Sequence, residues 1–247
     1  MMHDHAENII ASIKKIISLA VSPRLVDVLL MVRYKMKSSP FKSWDHLKTF
    51  REIYISNHWK SDESVSGPGS VSEITENLIH FINDLILEKN IQTVLDLPCG
   101  DFSWMKNLNF DHIDYLGADI VPELIDANEL KYASENIHFQ QLDIISNHLP
   151  SYDLLICRDC LPHFSFDHIL KALQNIKNSG CTYLLTTQYS AFTRNFDIVT
   201  GDWRPINLCI KPFDLAAPML SIEEYYPKEY RRQSRGKKLA LWRIDQL

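Results

Sequence analysis

The chain has 247 residues, of which 45% are hydrophobic and 23% are charged, and its formal net charge is −5 at pH 7. A chain of this length buries roughly 70–75% of the surface that it exposes when unfolded, so a single core can stabilise it without crosslinks. The negative charge argues against a duplex-DNA-binding protein, and we expect no nucleic-acid partner. Five scattered cysteines indicate no disulfide framework.

The first 60 residues are predicted to form a helical cap. Residues 6–36 have helical periodicity with a break at Pro23, and a second short helix is predicted at 44–58. Charged residues near Pro23 divide the most apolar window into pieces shorter than the about 20 residues that a bilayer requires. No basic segment precedes an apolar one, so no secretory signal is expected. These features predict a cytoplasmic protein without stable membrane insertion, and they leave monomer and homodimer open.

A loop and a long helix follow the predicted cap. Gly67, Pro68 and Gly69 mark the loop. Ser70 and Glu73 have the spacing of a capping box, which predicts a helix from there to about Lys89.

From residue 92 onward, short apolar runs alternate with amphipathic stretches. This alternation predicts a parallel sheet with helices on both faces. Two later apolar runs are close enough in sequence to form an antiparallel hairpin. The fold class is therefore α/β, a doubly wound, Rossmann-like, seven-stranded sheet with an antiparallel C-terminal hairpin and an N-terminal helical cap (1–60 cap, 61–247 sheet domain). The predicted strands are 92–97, 114–119, 137–143, 153–158, 182–188, 220–226 and 237–244, and the predicted helices between them are 102–109, 122–133 and 166–178.

Three carboxylates stand at predicted strand ends, where open α/β sheets bind their ligands. Asp96 ends the first strand, and Gly100 in the next turn leaves room for close approach of a ligand. Asp119 lies 23 residues later, a spacing that suits hydrogen bonds from ribose hydroxyls. Asp143 ends the third strand, within reach of the amine of a base. Together they predict a nucleoside-containing cofactor.

Four motifs resemble those of the class I S-adenosylmethionine-dependent methyltransferases: LDLPCGDF, LGADI, QLDI and DLLICRDCLPHF. The chain is most similar to a bacterial branch that also has loops of the kind ESVSGPGS and GDWRPINL, found here at 63–70 and 201–208. The resemblance covers roughly residues 61–247 and implies S-adenosyl-L-methionine as the cofactor. Pro98 and Phe102 replace two glycines of the wider superfamily's first motif, which disfavours a nicotinamide dehydrogenase.

The resemblance also implies a set of cofactor-binding residues. The resemblance implies that Asp96 and Gly100 border the methionine part of the cofactor. It also implies that Asp119 binds the ribose and that Asp143 and Ile144 lie on either side of the adenine. Arg158 lines the floor of the pocket. The loop before the long helix either contacts the methionine carboxylate or only caps that helix. The whole implied set is Gly67, Ser70, Asp96, Pro98, Gly100, Asp119, Ile120, Asp143, Ile144 and Arg158.

Candidate catalytic and acceptor-binding residues lie in two later loops. A hydroxyl acceptor benefits from a general base, and Asp159 and His163 are the candidates. For His163 the competing interpretation is a cap on the following helix or a bond to a carboxylate. In GDWRPINL the candidate substrate-binding residues are Asp202, Trp203, Arg204 and Asn207, with Arg204 suited to a phosphate or carboxylate. The competing interpretation is a structural turn anchored by Trp203.

The predicted function is methyl transfer to a small-molecule or glycan hydroxyl, phosphorylated acceptors included. One alternative is a protein or amine N-methyltransferase, and another is a catalytically silent, cofactor-binding partner protein. Cys157 and Cys160 form a lone C-x-x-C without the second pair that a structural zinc site needs, so no metal is expected. The basic segment 228–238 is either a solvated hairpin loop or a surface that steers an anionic acceptor.

Overall fold

A computed structural model describes residues 28, 31, 32, 34, 38–226 and 234–247. The helices predicted within 6–36 and most of the basic segment 228–238 therefore lie outside the described residues. The helices are α1 (His46–Ile55), α2 (Ser72–Lys89), α3 (Pro122–Tyr132) and α4 (Phe166–Asn178). The strands are β1 (Thr93–Asp96), β2 (Asp114–Asp119), β3 (Ile137–Gln141), β4 (Leu154–Cys157), β5 (Tyr183–Tyr189), β6 (Leu220–Glu223) and β7 (Lys237–Arg243).

The seven strands form one sheet in the order β3-β2-β1-β4-β5-β7-β6. Strands β1 to β5 are parallel, whereas β7 pairs antiparallel with both β5 and β6. The predicted doubly wound sheet with an antiparallel C-terminal hairpin is confirmed. The strand order reverses between β1 and β4, which leaves a crevice beyond their carboxyl ends.

Helices cover both faces of the sheet. In β4, Leu155 packs in one core cluster, whereas Leu154 packs in another on the opposite face. The first cluster includes Ile169, Ala172, Leu173 and Ile176 of α4, whose spacing builds one apolar helix face. The second includes Leu78, Ile82 and Leu85 of α2.

The prediction of a helix at 102–109 is wrong, because only a short 3₁₀ turn, Met105–Asn107, forms there. Phe102 adopts a left-handed conformation, with φ of 57°, and is 1% exposed. A left-handed residue cannot continue a right-handed helix. Its ring packs within 6 Å of four other aromatic rings, those of Phe110, Tyr115, Tyr132 and Phe139. The packing of the Phe102 ring therefore determines the backbone conformation of this segment.

The capping box predicted at Ser70 and Glu73 is also wrong. Helix α2 begins at Ser72, and its N-cap residue, Val71, has no capping side chain. Instead, the Glu63 carboxylate accepts hydrogen bonds from the Ser72 backbone N–H at 2.8 Å and from its hydroxyl. A carboxylate from the preceding loop thus accepts a hydrogen bond from the first turn of α2, where the backbone N–H groups have no partner within the helix.

Helix α1 is shorter than the predicted 44–58. It begins after Asp45, whose carboxylate accepts the Lys48 N–H at 2.8 Å. Gly201 lies directly under this region, since a Cβ there would stand 2.5 Å from Thr49 and 2.6 Å from Phe41. In the described part of the chain, no helix is long and apolar enough to cross a membrane.

Candidate functional site

A cavity of about 410 Å³ lies at the carboxyl ends of β1, β2 and β4. Its volume is in the range of small-molecule and cofactor sites. Residues from α1, from the loop before α2 and from the start of β7 complete its wall. The structure brings together the whole implied cofactor set, since each of these residues lines the cavity: Gly67, Ser70, Asp96, Pro98, Gly100, Asp119, Ile120, Asp143, Ile144 and Arg158.

The two acids at the ends of β1 and β2 are buried. Asp96 accepts a hydrogen bond from the Tyr115 hydroxyl at 2.8 Å. Burial raises the pKa of Asp96 to about 7, against the lowering effect of that bond. Asp119 accepts the backbone N–H groups of Gly100 at 3.3 Å and Val121 at 3.1 Å. Burial also raises the pKa of Asp119, to about 6, and its oxygens keep lone pairs for further donors.

The loop before α2 forms a roof over the first turn. Asp101 accepts hydrogen bonds at 3.0 Å from the Ser64 hydroxyl and the Val65 N–H. Gly100 has φ of +57°, and a Cβ there would collide with the Ser66 hydroxyl. Glycine is therefore required at position 100 because the roof loop leaves no space for a side chain, and not only because a ligand approaches closely. Asp101 was not predicted as a site residue, although it follows Gly100 directly.

Asp143 is held by three hydrogen bonds just beyond β3. Its donors are His46 Nε2 at 2.8 Å, the Ser146 hydroxyl at 2.5 Å and the Ile145 N–H at 2.9 Å. Burial raises the pKa of Asp143, but these bonds outweigh it and lower the pKa to about 2. His46 belongs to α1 and was not predicted as a site residue.

His163 lies at the other end of the cavity, in the turn after β4. Its Nδ1 is 3.0 Å from the carbonyl oxygen of Asp202, which only accepts, so Nδ1 carries the proton and Nε2 keeps its lone pair. Burial lowers the pKa of His163 to about 4, so the ring is neutral at pH 7. The ring centroid is 4.8 Å from that of Trp59. The competing helix-cap interpretation is wrong, because Ser165 caps α4.

A family model described as a methyltransferase domain matches residues 94–179. The N-methyltransferase NodS from Bradyrhizobium japonicum WM9, solved with S-adenosyl-L-homocysteine, is similar with a TM-score of 0.54 and 14% identity over 78% of this chain and 98% of NodS. The methyltransferase domain of the bacterial protein CtHen1-CN is similar with a TM-score of 0.50 and 9% identity over 69% of this chain and 99% of that domain. A search of curated proteins finds no match.

Residues 94–179 belong to a methyltransferase domain, so the protein is a methyltransferase. The two structural likenesses establish its fold, and the family match covers Asp96 and Asp119 at the ends of β1 and β2 and Asp143 just beyond β3. S-adenosyl-L-methionine is the cofactor of this domain. This cofactor argues against a nicotinamide dehydrogenase.

In this methyltransferase, Asp159 belongs to a charged network and is not a free base. Lys237 Nζ lies 2.7 Å from its carboxylate and 3.1 Å from that of Glu224. Arg158 Nη2 donates to Glu224 at 2.6 Å and to the Gly69 carbonyl at 2.7 Å. Burial raises the pKa of Asp159, but Lys237 and Arg158 hold it well below its usual range. Because Lys237 and Arg158 occupy the Asp159 carboxylate, the structure favours His163 over Asp159 as the candidate general base.

Of the four acceptor-binding candidates in GDWRPINL, only Trp203 lines the methyltransferase cavity. Asn207 is buried, and its amide bonds to Gln188 and to the Phe192 carbonyl. Asp202 contributes its carbonyl to His163, as described above. The segment passes behind the turn after β4, so its side chains stabilise that turn.

Arg204 is fully buried and binds backbone, so its prediction as a phosphate or carboxylate ligand is wrong. Its guanidinium donates at 2.8–3.2 Å to four carbonyl oxygens, those of Leu161, Pro162, Phe164 and Phe196. These contacts connect the turn that carries His163 to the loop before Arg204.

No group of three or more metal-ligating side chains occurs among the described residues. Cys157 and Cys160 are both buried with free thiols. Their packing in the core cluster around β4 accounts for the C-x-x-C spacing.

Proposed function

We propose that this methyltransferase transfers a methyl group to a hydroxyl of a small molecule or glycan. The observation that carries the proposal is the state of His163, a neutral imidazole on the cavity wall whose Nε2 keeps its lone pair. Trp59, Trp203 and Tyr189 line the same part of the cavity. Aromatic faces of this kind suit the apolar side of a sugar or another small ring.

The cavity residues fit the cofactor. Asp119 would accept the ribose hydroxyls, and Asp143 would accept the adenine amine between the apolar side chains of Ile120 and Ile144. Asp96, Gly100 and Arg158 would border the methionine part, below the roof loop. When bound, S-adenosylmethionine supplies a methyl group already activated on a sulfonium.

The chain's own residues would align the acceptor and take its proton. Alignment alone contributes about 7–11 kcal/mol to such displacements. His163 Nε2 would accept the hydroxyl proton, and the Asp202 carbonyl would stabilise the imidazolium through Nδ1–H. The surrounding aromatic side chains would exclude water. The catalytically silent alternative has less support, because one cavity of about 410 Å³ is lined by Asp143, His163 and Lys237 together.

Among the described residues, the contacts of Lys237 and Arg204 favour an uncharged acceptor over a phosphorylated one. Lys237 has three N–H groups, and they contact Asp159, Tyr226 and Glu224. Arg204 donates only to carbonyls. Neither cation is left to bind a phosphate.

An amine acceptor is the second candidate. The Asp159 side chain is 28% exposed, while its partner Lys237 is 3% exposed, so a carboxylate edge faces the cavity among aromatic rings. Such surroundings also suit a cationic amine. The similarity to the N-methyltransferase NodS is consistent with this candidate.

Tritiated S-adenosylmethionine and a panel of methyl glycosides, small alcohols and small amines test the proposal. We expect label in hydroxyl acceptors, with the methyl position assigned by NMR. His163→Asn should lower kcat by about 10²–10⁴-fold, the usual contribution of a general base, while S-adenosylhomocysteine affinity stays unchanged. His138→Asn, on an exposed side chain of β3, is the matched control. Full turnover by His163→Asn, or label in amines alone, would overturn the proposal.

The cytoplasm remains the proposed compartment. All five cysteines are free thiols, and four of them are buried. This pattern fits a reducing environment. Mass spectrometry of the alkylated, unreduced native protein should give five modified cysteines after denaturation.

A further inference from the structure

The contact between His46 and Asp143 joins helix α1 to the sheet. The two residues are 97 positions apart, and His46 Nε2 is 2.8 Å from Asp143 Oδ2. Their side chains are 26% and 13% exposed, and both line the cofactor cavity. His46 lies outside residues 94–179, the part that the family model matches.

The hydrogen bonds of Asp143 leave room for one more donor. A carboxylate has about four lone-pair positions. Oδ2 accepts from His46 and from the Ser146 hydroxyl, and Oδ1 accepts from the Ile145 N–H. One position on Oδ1 remains, which is what a single N–H of an amino group requires. Without His46, the carboxylate would lose one of the contacts that fix its rotation.

The groups around His46 permit its protonated form. Its pKa is raised above the usual 6.5, chiefly by the hydrogen bond to Asp143 and against the lowering effect of burial. Asp45 raises the pKa further, and Lys171 lowers it. The ring of His168 lies 5.3 Å away, and burial lowers its pKa, so it adds no positive charge at neutral pH.

We propose that His46 is a positioning residue for the cofactor: it holds the Asp143 carboxylate in the orientation that accepts the 6-amino group of adenine. Helix α1 thereby becomes part of the adenine site. This inference rests on the proposed placement of adenine beside Asp143.

Other contacts keep α1 docked when His46 is changed. Arg51 forms an exposed ion pair with Glu123 of α3. The ring of Phe50 lies 5.7 Å from that of Phe164. Arg51→Gln therefore weakens the docking of α1 without touching Asp143, which makes it the matched control.

Calorimetric titration with two ligands tests the inference: S-adenosylhomocysteine and its 6-deamino analogue, in which purine replaces adenine. The wild-type protein should prefer the amino compound by about tenfold or more, as expected for a hydrogen bond to a charged group. His46→Ala should lose most of this preference. Arg51→Gln should retain it, even if both affinities fall together. Thermal unfolding verifies that each variant is folded.

His46→Gln separates hydrogen bonding from charge. Its amide can still donate to Asp143, so the preference should persist, but the variant has no ionisable group at this position. The affinity advantage of wild type over His46→Gln should grow as the pH falls from about 8 to about 6, where the imidazole becomes charged. The comparison cancels titrations that both proteins share, such as that of Asp119.

The outcomes distinguish the inference from the placement on which it rests. An unchanged preference in His46→Ala overturns the positioning role, and so does an equal loss in Arg51→Gln. If the wild type and Asp143→Asn both fail to distinguish the two ligands, the placement of adenine beside Asp143 is wrong and the inference falls with it. If no ligand binds, the proposed cofactor arrangement itself is refuted.

Discussion

Replacing Arg204 by methionine tests whether this residue stabilises the fold or binds an acceptor. Methionine has a similar length and no donor, so Arg204→Met removes all four hydrogen bonds to the carbonyls of Leu161, Pro162, Phe164 and Phe196. The change keeps most of the apolar volume of the side chain, but it also removes the guanidinium that lies 5.6 Å from the centroid of the Phe166 ring. Loss of the hydrogen-bond donors of the guanidinium is therefore the main effect of Arg204→Met.

The magnitude follows from the number of bonds. Four hydrogen bonds at about 0.5–1.5 kcal/mol each amount to roughly 2–6 kcal/mol of net stability. Part of this is recovered, because the variant no longer buries a cation. We expect a loss of about 3 kcal/mol in the free energy of unfolding. For a chain of this size, that corresponds to a fall in Tm of about 6–12 °C.

Circular dichroism during heating and urea titration measure the effect. Arg194→Met is the control, since Arg194 is an exposed arginine in the same loop region. An exposed substitution should change stability by no more than about 0.5 kcal/mol.

One result would refute the reasoning. If Arg204→Met kept the Tm and the urea midpoint of the wild type but raised the acceptor KM, Arg204 would be a ligand for the acceptor. A fall in Tm together with reduced kcat at low temperature is compatible with our account, because Arg204 holds the turn that carries His163.

Three further predictions concern the cofactor site, the base and the cap. Asp119→Ala should weaken S-adenosylhomocysteine binding by roughly 1–3 kcal/mol, or about 5- to 150-fold in Kd by calorimetry; unchanged affinity in a folded variant would remove Asp119 from the site. Because burial lowers the pKa of His163 to about 4, its base form is lost only as the pH falls through about 4. Because the pKa values of Asp96 and Asp119 are raised to about 7 and about 6, the wild type is compared with His163→Asn, which shares those titrations. The ratio of the two kcat values should stay level from about pH 8 to pH 5, and an inflection of this ratio near 6.5 would contradict the buried state of the ring. Gly201→Ala should destabilise the protein by about 1–3 kcal/mol, since its Cβ would stand 2.5 Å from Thr49 and 2.6 Å from Phe41; a stability equal to wild type in urea would show that α1 does not pack there.

The sheet and the cofactor acids could be predicted from the sequence because their signals are local. Each strand is a short apolar run between turn residues, and each of the acids stands at or just after the end of its own strand. Helix α4 shows the same principle, since its predicted bounds, 166–178, are the observed ones. Here local pattern and tertiary packing agree.

The remaining features depend on contacts that local patterns do not contain. Phe102 has the spacing of a helix residue, but rings from four other positions hold it in a left-handed conformation. The hydrogen-bond partners of Arg204 are backbone carbonyls. Every residue has one, so no sequence pattern indicates which of them Arg204 contacts. Asp159 and Lys237 are 78 positions apart, so no spacing rule connects them.

The position of β7 has a consequence for biosynthesis. It lies between β5 and β6 in the sheet but follows both in the chain, and it pairs with β5 over seven residues. Until it arrives, the apolar strand β5 is an open edge, the kind of surface that recruits other chains into aggregates. The same strand brings Lys237 to the cavity wall. A prematurely terminated translation product that stops before residue 237 would therefore be both inactive and prone to aggregate, so that chaperones and proteases can recognise it by the same defect that removes its activity.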